Sequence, residues 1–422
     1  CGYGCRTCRE GMKQKNKKKK QNMIDITYLY CGRETPATPH RYGRALKDLT
    51  PSELERHSVA DQAKTRKPVV VWNTTRTCNP KCVHCYSNST GELDTDELTT
   101  AEAKALIDDV AQMGVSALLF SGGEPLTRGD FFELASYASS KGIRVTISTN
   151  GTLINPEMAK KIKSLGVTYV GISFDGIGEI NDKFRGVPGA FESALKGLRN
   201  LRAVGQKTGL RFTLTKHNVQ NLDKIFDFIE AEEIPRACFY HLVYSGRGGA
   251  ISKDDLSHAE SRGAMDTIMR RAEILAKKPK PTEILTVDNP CDAVYLYLKL
   301  LKKDPARAAA VLEILKWNGG GANGSGVTLS NIDWKGNIHP DQFWQDLTIA
   351  NIRNTPFSKV WGEGKHPVLA GLRNRLPLLK GRCGGCGWKD VCGGGFRVRA
   401  LRSTGDMWAA DPACYLTDKE IS

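Results

Sequence analysis

The sequence predicts an α/β fold in which a parallel sheet precedes a small Cys-rich unit, and three observations carry that expectation. From Pro68 onward, six short apolar runs alternate with amphipathic segments. They recur every 25 to 48 residues, which leaves room for a helix in each gap and favours right-handed parallel crossovers. The last forty residues are instead rich in Gly, Cys and Arg and poor in apolar runs, so they need a metal centre to hold them together.

The strand candidates are VVVW (69–72), ALLF (117–120), RVTIST (144–149), YVGISF (169–174), LRFTLT (210–215) and ACFYHLV (237–243). Thr99 and Glu102 form a capping box for the first helix, Ala103, Leu106, Ile107 and Val110 make its apolar face, and Gly114 stops it. After about residue 250 the pattern turns helical, clearest over 258–278 and 291–317. The run WNGGGANGSG lacks the GK[ST] ending of a phosphate loop and reads as a flexible connector. A hairpin follows at VTLSNI, DWKG, NIHP. The expected division is a basic extension (1–22), an N-terminal segment (23–67), a barrel (68–250), a helical connector (251–326) and a Cys-rich domain (327–422).

Composition excludes some functions. The 422 residues are 40% hydrophobic and 25% charged, with no apolar run of the roughly 18 residues a membrane span requires. The formal charge is +15, but residues 1–22 carry +7 of it, so most of the excess belongs to one tail. The run KQKNKKKKQN reads as foreign to the rest, with Met23 the expected true start. A basic arm or a metal knuckle at Cys1, Cys5 and Cys8 is the functional alternative. The opening residues have no apolar signal region, which places the chain in a reducing cytoplasm, where thirteen cysteines point to metal chemistry over disulfides.

The first strand leads into NTTRTCNPKCVHCYS, which sets Cys78, Cys82 and Cys85 as CxxxCxxC on one loop. Three thiolates on a 4Fe-4S cluster leave one iron open, whereas structural zinc needs a fourth protein ligand, for which His84 is poorly spaced. Spacing and strand context favour the cluster. SGGEP (121–125), STNG (148–151) and SFDG (173–176) each follow a predicted strand. Gly122 and Gly123 permit close approach to a ligand, beside the Glu124 carboxylate. The spacing of Cys383, Cys386, Cys392 and Cys414 leaves zinc and a cluster equally open. Cys31, Cys238 and Cys291 stand apart and read as small buried hydrophobes.

Over at least residues 69–243 this constellation resembles the radical S-adenosylmethionine (radical SAM) superfamily. The resemblance implies a partial (β/α)6 barrel, a cluster on Cys78, Cys82 and Cys85, and S-adenosyl-L-methionine chelating the open iron. It further implies that Gly122, Gly123 and Glu124 hold the methionyl amino group, that Ser148, Asn150, Ser173 and Asp175 lie near the ribose and methionyl end, and that Tyr86 or His84 flanks the adenine. The C-terminal cysteines are similar to the SPASM extension, which implies a second, auxiliary 4Fe-4S cluster on Cys383, Cys386, Cys392 and Cys414. Only one auxiliary cluster is expected, because Phe396 and Asp341 stand where further cysteines are usual.

The segments MIDITYLYCGRETPATPHRYGR, FYHLVYSGRG, GNIHPDQFW and DPACYL resemble the tetrapyrrole-modifying branch of that superfamily. The implied reaction removes two acetate side chains from 12,18-didecarboxysiroheme to give Fe-coproporphyrin III. The implied partners are an iron tetrapyrrole and a low-potential electron donor such as flavodoxin or ferredoxin, with no nucleic acid and no membrane. Arg247, Arg185 and Arg211 are candidate carboxylate partners, since a guanidinium fork matches a carboxylate. His241 and His339 are candidate axial ligands or proton donors, against a plain reading as hydrogen-bonded core histidines. Three alternatives stay open: propionate removal as in heme d1 biosynthesis, SPASM-type peptide maturation, and a zinc-containing nucleic-acid binder.

Overall fold

The computed structural model describes residues 23–39, 67–318 and 324–422. The basic extension, with Cys1, Cys5 and Cys8, lies outside them, as do most of the N-terminal segment and the centre of the Gly-rich connector.

All six expected strands are present: β2 (Val69–Asn73), β3 (Ala117–Ser121), β4 (Val145–Thr149), β5 (Tyr169–Ser173), β6 (Thr208–Leu214) and β7 (Arg236–His241). They pair in sequence order and in parallel. Helices fill the gaps, among them Thr100–Met113, Phe131–Ser140, Ala190–Ala203 and Leu222–Ala231. The first has the expected capping box of Thr99 and Glu102 and ends at Gly114 with φ 76°.

The sheet continues past the expected barrel at both edges. Beyond β7 lies β8 (Glu283–Val287), parallel to it, and β1 (Ile24–Asp25) closes that edge antiparallel. Beyond β2 lies β9 (Leu329–Ile332), also parallel, followed by β10 (Asn337–His339) and β11 (Ala350–Asn351). The hairpin expected from VTLSNI to NIHP is therefore real, and its first strand is stitched to the strand that precedes the cysteine loop. Among the described residues the result is one sheet of eleven strands, crossing the boundaries expected at residues 250 and 326.

Burial separates the two faces of the sheet, as the period-2 geometry of a strand requires. Ile147, Val170, Ile172, Leu210, Phe212, Leu214 and Phe239 are fully buried in the core that also holds the helices' apolar residues. Burying one such large side chain stabilises by about 1.5–3 kcal/mol. The alternate residues Ser148, Tyr169, Ser173, Arg211, Thr213 and Tyr240 are only half-buried. They form the polar, aromatic inner face that borders the lumen.

Candidate functional site

The cysteine loop leaves β2 at Thr74 and is held from several sides. Arg128 donates to the Thr74 carbonyl at 2.8 Å and the Leu98 carbonyl at 2.7 Å, fixing its start. Cys78 N donates to Thr90 O at 2.7 Å, folding the loop back on itself. Cys78 and Cys82 are buried and Cys85 is half-buried. The three sulfurs repel one another as thiolates; burial foremost, then Glu124 and the other two sulfurs, pushes the Cys78 thiol up. Cys85 is the exception. Burial raises it, but hydrogen bonds from Ser87 and Ser89, at 3.4 and 3.1 Å from its sulfur, bring it below the ordinary thiol value.

The glycines of SGGEP pack against the cysteine loop. A Cβ on Gly123 would lie 2.1 Å from the Thr77 carbonyl oxygen, and one on Gly122, where φ is +131°, 2.5 Å from that of Thr75. Gly123 N donates to Thr75 O and Glu124 N to Thr77 O, each at 2.8 Å. Their close approach is thus to the backbone of the cysteine loop. Glu124 is fully buried and its carboxylate accepts from Thr149 Oγ1, Asn150 N and Leu126 N at 2.8, 2.8 and 3.2 Å. Burial pushes it up to about 7 despite these donors. It ties the end of β3 to the end of β4, with two donors on Oε1 and one on Oε2.

Asn150 is likewise engaged: it donates to Asn79 Oδ1 at 2.8 Å, bracing the cysteine loop, and accepts from Thr152 N and Thr152 Oγ1. Asp175 pairs with Arg185 and accepts from Thr213 N at 3.1 Å. Arg185 also points Nη1 at the Cys82 sulfur, 3.6 Å away. The expectation that Arg185 meets a substrate carboxylate is corrected accordingly: its cation serves the cysteine loop. Ser148 and Ser173, by contrast, sit on the inner face with half-buried side chains and no hydrogen bond to protein among the described residues. His84 lies 4.6 Å from the Phe184 ring, and burial pushes it down to about 4, so the ring is neutral beside Asp175. Tyr86 reaches into the lumen mouth, its hydroxyl 3.1 Å from both Asn73 Oδ1 and Ser121 Oγ.

Arg247 and two histidines are also engaged by the protein, and for the histidines burial corrects the expectation. Arg247 donates from Nε to Cys82 O and from Nη1 to Ser89 O, both at 2.8 Å, while its own N donates to Cys85 O. It staples the loop, and its buried Nη2 has no hydrogen-bond partner among the described residues. His241 alternates with Tyr240 on β7, so it shares the buried side with Phe239; it is 4% exposed and bonds Asp292 at 3.0 Å. His339 is fully buried, with Nδ1 2.7 Å from Leu347 O and Nε2 3.4 Å from Asp333. Both are hydrogen-bonded core histidines. Arg211 is different: it lies over the Tyr240 ring at 4.8 Å, and no hydrogen bond or ion pair engages its guanidinium among the described residues. The groups that act on it electrostatically include Tyr240, Cys238, Tyr169 and Tyr86, and it in turn acts on the Asp288 carboxyl. Arg211 is thus a cation on an aromatic wall, without a protein partner among the described residues.

A second assembly lies in the C-terminal region. Cys383, Cys386, Cys392 and Cys414 line one cavity, together with Cys291, Arg382 and Trp388. Gly393, Gly394 and Gly395 all adopt left-handed backbone, φ 65°, 81° and 79°, which lets the chain turn tightly around the cavity. The region is anchored to the sheet by Arg399, which pairs with Asp411 at 2.8 Å with both side chains fully buried and donates to Leu242 O and Asp288 O. Phe396 and Asp341 occupy the two positions expected to lack cysteines. Phe396 packs edge-on against Phe343 at 5.5 Å, and Asp341 is buried beside Phe343 N. Sequence reasoning missed Cys291 at the cavity, because ninety residues separate it from the nearest cysteine of that group and the strand placing it, β8, was not expected.

Half-barrel sheet, cysteine loop after its first parallel strand and SGGEP turn packed on that loop define the class: the chain belongs to the radical SAM superfamily, whose family model matches residues 72–229. It is a radical SAM enzyme, and membership implies S-adenosylmethionine and a 4Fe-4S cluster. Among curated proteins, it is 54% identical to the Fe-coproporphyrin III synthase of Methanosarcina barkeri, over 94% of this chain and 99% of that one. It is 45% identical to the pre-heme d1 synthase of Dinoroseobacter shibae, over 84% and 88%. Among solved structures, Streptococcus suis SuiB bound to S-adenosylmethionine superposes with a TM-score of 0.63 at 17% identity, covering 83% of this chain and 78% of that one. Native anSMEcpe with bound AdoMet gives 0.64 at 17% identity, over 84% and 95%. These last two speak to the fold. Among the described residues, no helix is long and apolar enough to cross a membrane.

Proposed function

We propose that this enzyme removes the two acetate side chains of 12,18-didecarboxysiroheme to give Fe-coproporphyrin III. The observation that carries the reading is 54% identity, over nearly the full length of both chains, to a protein named for that product. The unpaired Arg211 on its aromatic wall supports it, since a polycarboxylate tetrapyrrole offers both an anion for the guanidinium and a flat face for the rings.

In this reading Cys78, Cys82 and Cys85 hold the first cluster, which supplies the electron that splits the sulfonium C–S bond of S-adenosylmethionine. The donor set fits: three thiols on one loop, with the Arg185 guanidinium beside Cys82 and two serine hydroxyls on Cys85 offsetting thiolate charge. Ser148 and Ser173, whose hydroxyls have no protein partner among the described residues, contact the sulfonium molecule from the inner face. Arg247, Asn150 and the Gly122–Gly123 turn keep the loop in place. Cys383, Cys386, Cys392 and Cys414 hold an auxiliary 4Fe-4S cluster in the C-terminal cavity, and a low-potential donor such as flavodoxin or ferredoxin supplies electrons. The segments 68–250, 251–326 and 327–422 serve as barrel, connector and auxiliary-cluster region.

The test is anaerobic reconstitution followed by incubation with S-adenosylmethionine, a reductant and 12,18-didecarboxysiroheme, with products read by mass. Loss of two acetate units with formation of 5'-deoxyadenosine is expected. Loss of propionates would assign the heme d1 type of reaction instead, and 5'-deoxyadenosine with an unchanged tetrapyrrole would overturn the substrate.

A further inference from the structure

Leu285 and Val287 on β8 pack with Cys238 and Tyr240 in a small apolar cluster separate from the main core. Val287 stands opposite Tyr240 across the β7–β8 pairing, while the Arg211 guanidinium from β6 lies over the Tyr240 ring at 4.8 Å. By strand order, Tyr240 separates that cation from the end of β8. Just past that end comes Asp288. Its backbone is left-handed, φ 67°, and Arg399 Nη2 donates to its carbonyl at 2.9 Å, which fixes the turn. The residue is half-buried, its Oδ2 is buried, and no hydrogen bond or ion pair engages its carboxyl among the described residues. Its field reaches both Tyr240 and Arg211 on the inner face. Three neighbouring strands thus present, in order, a cation, an apolar strip and a bare carboxyl.

We propose that Asp288 determines specificity: with the apolar strip at Val287 it admits the uncharged side-chain ends of 12,18-didecarboxysiroheme and rejects the parent siroheme; this rests on the substrate reading given above. The two compounds differ in that the parent carries carboxylates where the didecarboxy compound has hydrogen at two positions. Attraction to carboxylates cannot separate them, since both are polyanions and Arg211 draws either one. Discrimination needs a repulsive element. A carboxylate brought to the end of β8 would give up water against Val287 and meet the Asp288 charge, and like charges so placed cost far more than the same pair in bulk water. Arg399, which holds the Asp288 carbonyl, cannot relieve the clash because it is already paired with Asp411. A hydrogen at that position meets no such penalty. Burial foremost, then Asp341, pushes the Asp288 carboxyl up to about 7, against Arg399, Arg211 and His241, so the repulsion is fully developed above that pH.

The experiment titrates 12,18-didecarboxysiroheme and siroheme, each followed by its visible absorption, into wild type, Asp288→Asn and Asp288→Gly as the full chain reconstituted anaerobically, at a pH well above 7. Asn and Gly both tolerate the left-handed backbone at this position, so the turn survives either change; iron content and denaturant unfolding confirm it. The readout is the ratio of the two affinities, which a purely structural role would leave alone. Wild type should prefer the didecarboxy compound by about tenfold or more, as a desolvated like-charge contact requires, and both variants should lose most of that preference by gaining affinity for siroheme. Wild type binding the two compounds equally would overturn the proposal. So would variants that keep the wild-type ratio, and either result leaves the substrate reading intact. Wild type binding neither tetrapyrrole would overturn the substrate reading, and the role of Asp288 with it.

Discussion

Gly123→Ala separates two roles that the SGGEP turn could play. The added Cβ would sit 2.1 Å from the Thr77 carbonyl oxygen, whereas side-chain Cβ atoms essentially never approach within 3.0 Å. The obstacle is backbone, so no rotamer change relieves it. Either the turn or the cysteine loop must retreat by about 1 Å, next door to Cys78. Overpacking of this kind costs about 1–3 kcal/mol of stability, and a 1 Å misplacement of a reacting group costs about a hundredfold in rate. The assay is S-adenosylmethionine cleavage, measured as 5'-deoxyadenosine at saturating S-adenosylmethionine, alongside iron content and denaturant unfolding of the reconstituted chain. Expected are a rate about a hundredfold lower, a small loss of stability and weaker iron retention. If the variant kept wild-type stability and iron and lost only affinity for S-adenosylmethionine, Gly123 would be serving the ligand and the reasoning from loop packing would fail.

Arg399→Met should destabilise by about 3–5 kcal/mol, because it strands Asp411 as a fully buried, unpaired carboxylate; denaturant unfolding checks it, and a loss under 1 kcal/mol, taken as roughly the median worth of a surface pair, would refute the anchor. Burial raises the Asp341 carboxyl from 3.8 to about 6, so its contribution to stability is full below pH 3.8 and is lost as pH rises through 6. By linkage that loss is on the order of 3 kcal/mol, and Asp341→Asn should flatten the stability profile between those pH values. Arg211→Gln should weaken tetrapyrrole binding by about 10- to 100-fold, the range for a lost charge-assisted hydrogen bond, while S-adenosylmethionine binding, read by equilibrium dialysis, stays unchanged. Cys82→Ala should abolish both 5'-deoxyadenosine formation and tetrapyrrole turnover, read by mass.

What could be read from residues alone follows from how local each signal is. The strands β2 to β7 announce themselves by apolar runs separated by helix-length gaps, and the Thr99–Glu102 capping box needs only four consecutive residues. EILTV (283–287) was hidden by the charged, Pro-rich KKPKPTE before it and by strongly helical flanks, and β1 has only two residues. The hairpin was legible from its turn. Its pairing with β2, some 260 residues earlier, was not, because parallel edge contacts leave no mark in either strand's own pattern. At the site, cysteine spacing was enough to group the thiols. Residue type could not tell which side of β7 His241 faces, nor that Glu124, Arg185 and Arg247 bond to the protein's own backbone and side chains. Those assignments depend on contacts between segments far apart in the chain.

The pairing of β9 with β2 has a consequence for how this polypeptide can be divided. It makes the strand that launches the cysteine loop an interior member of the sheet. Removing everything after the Gly-rich connector would strip one whole row of main-chain donors and acceptors from Val69 to Trp72. Such a bare, apolar margin recruits strands from other molecules, so the N-terminal half expressed by itself would be drawn toward self-association at the very edge that carries Cys78, Cys82 and Cys85.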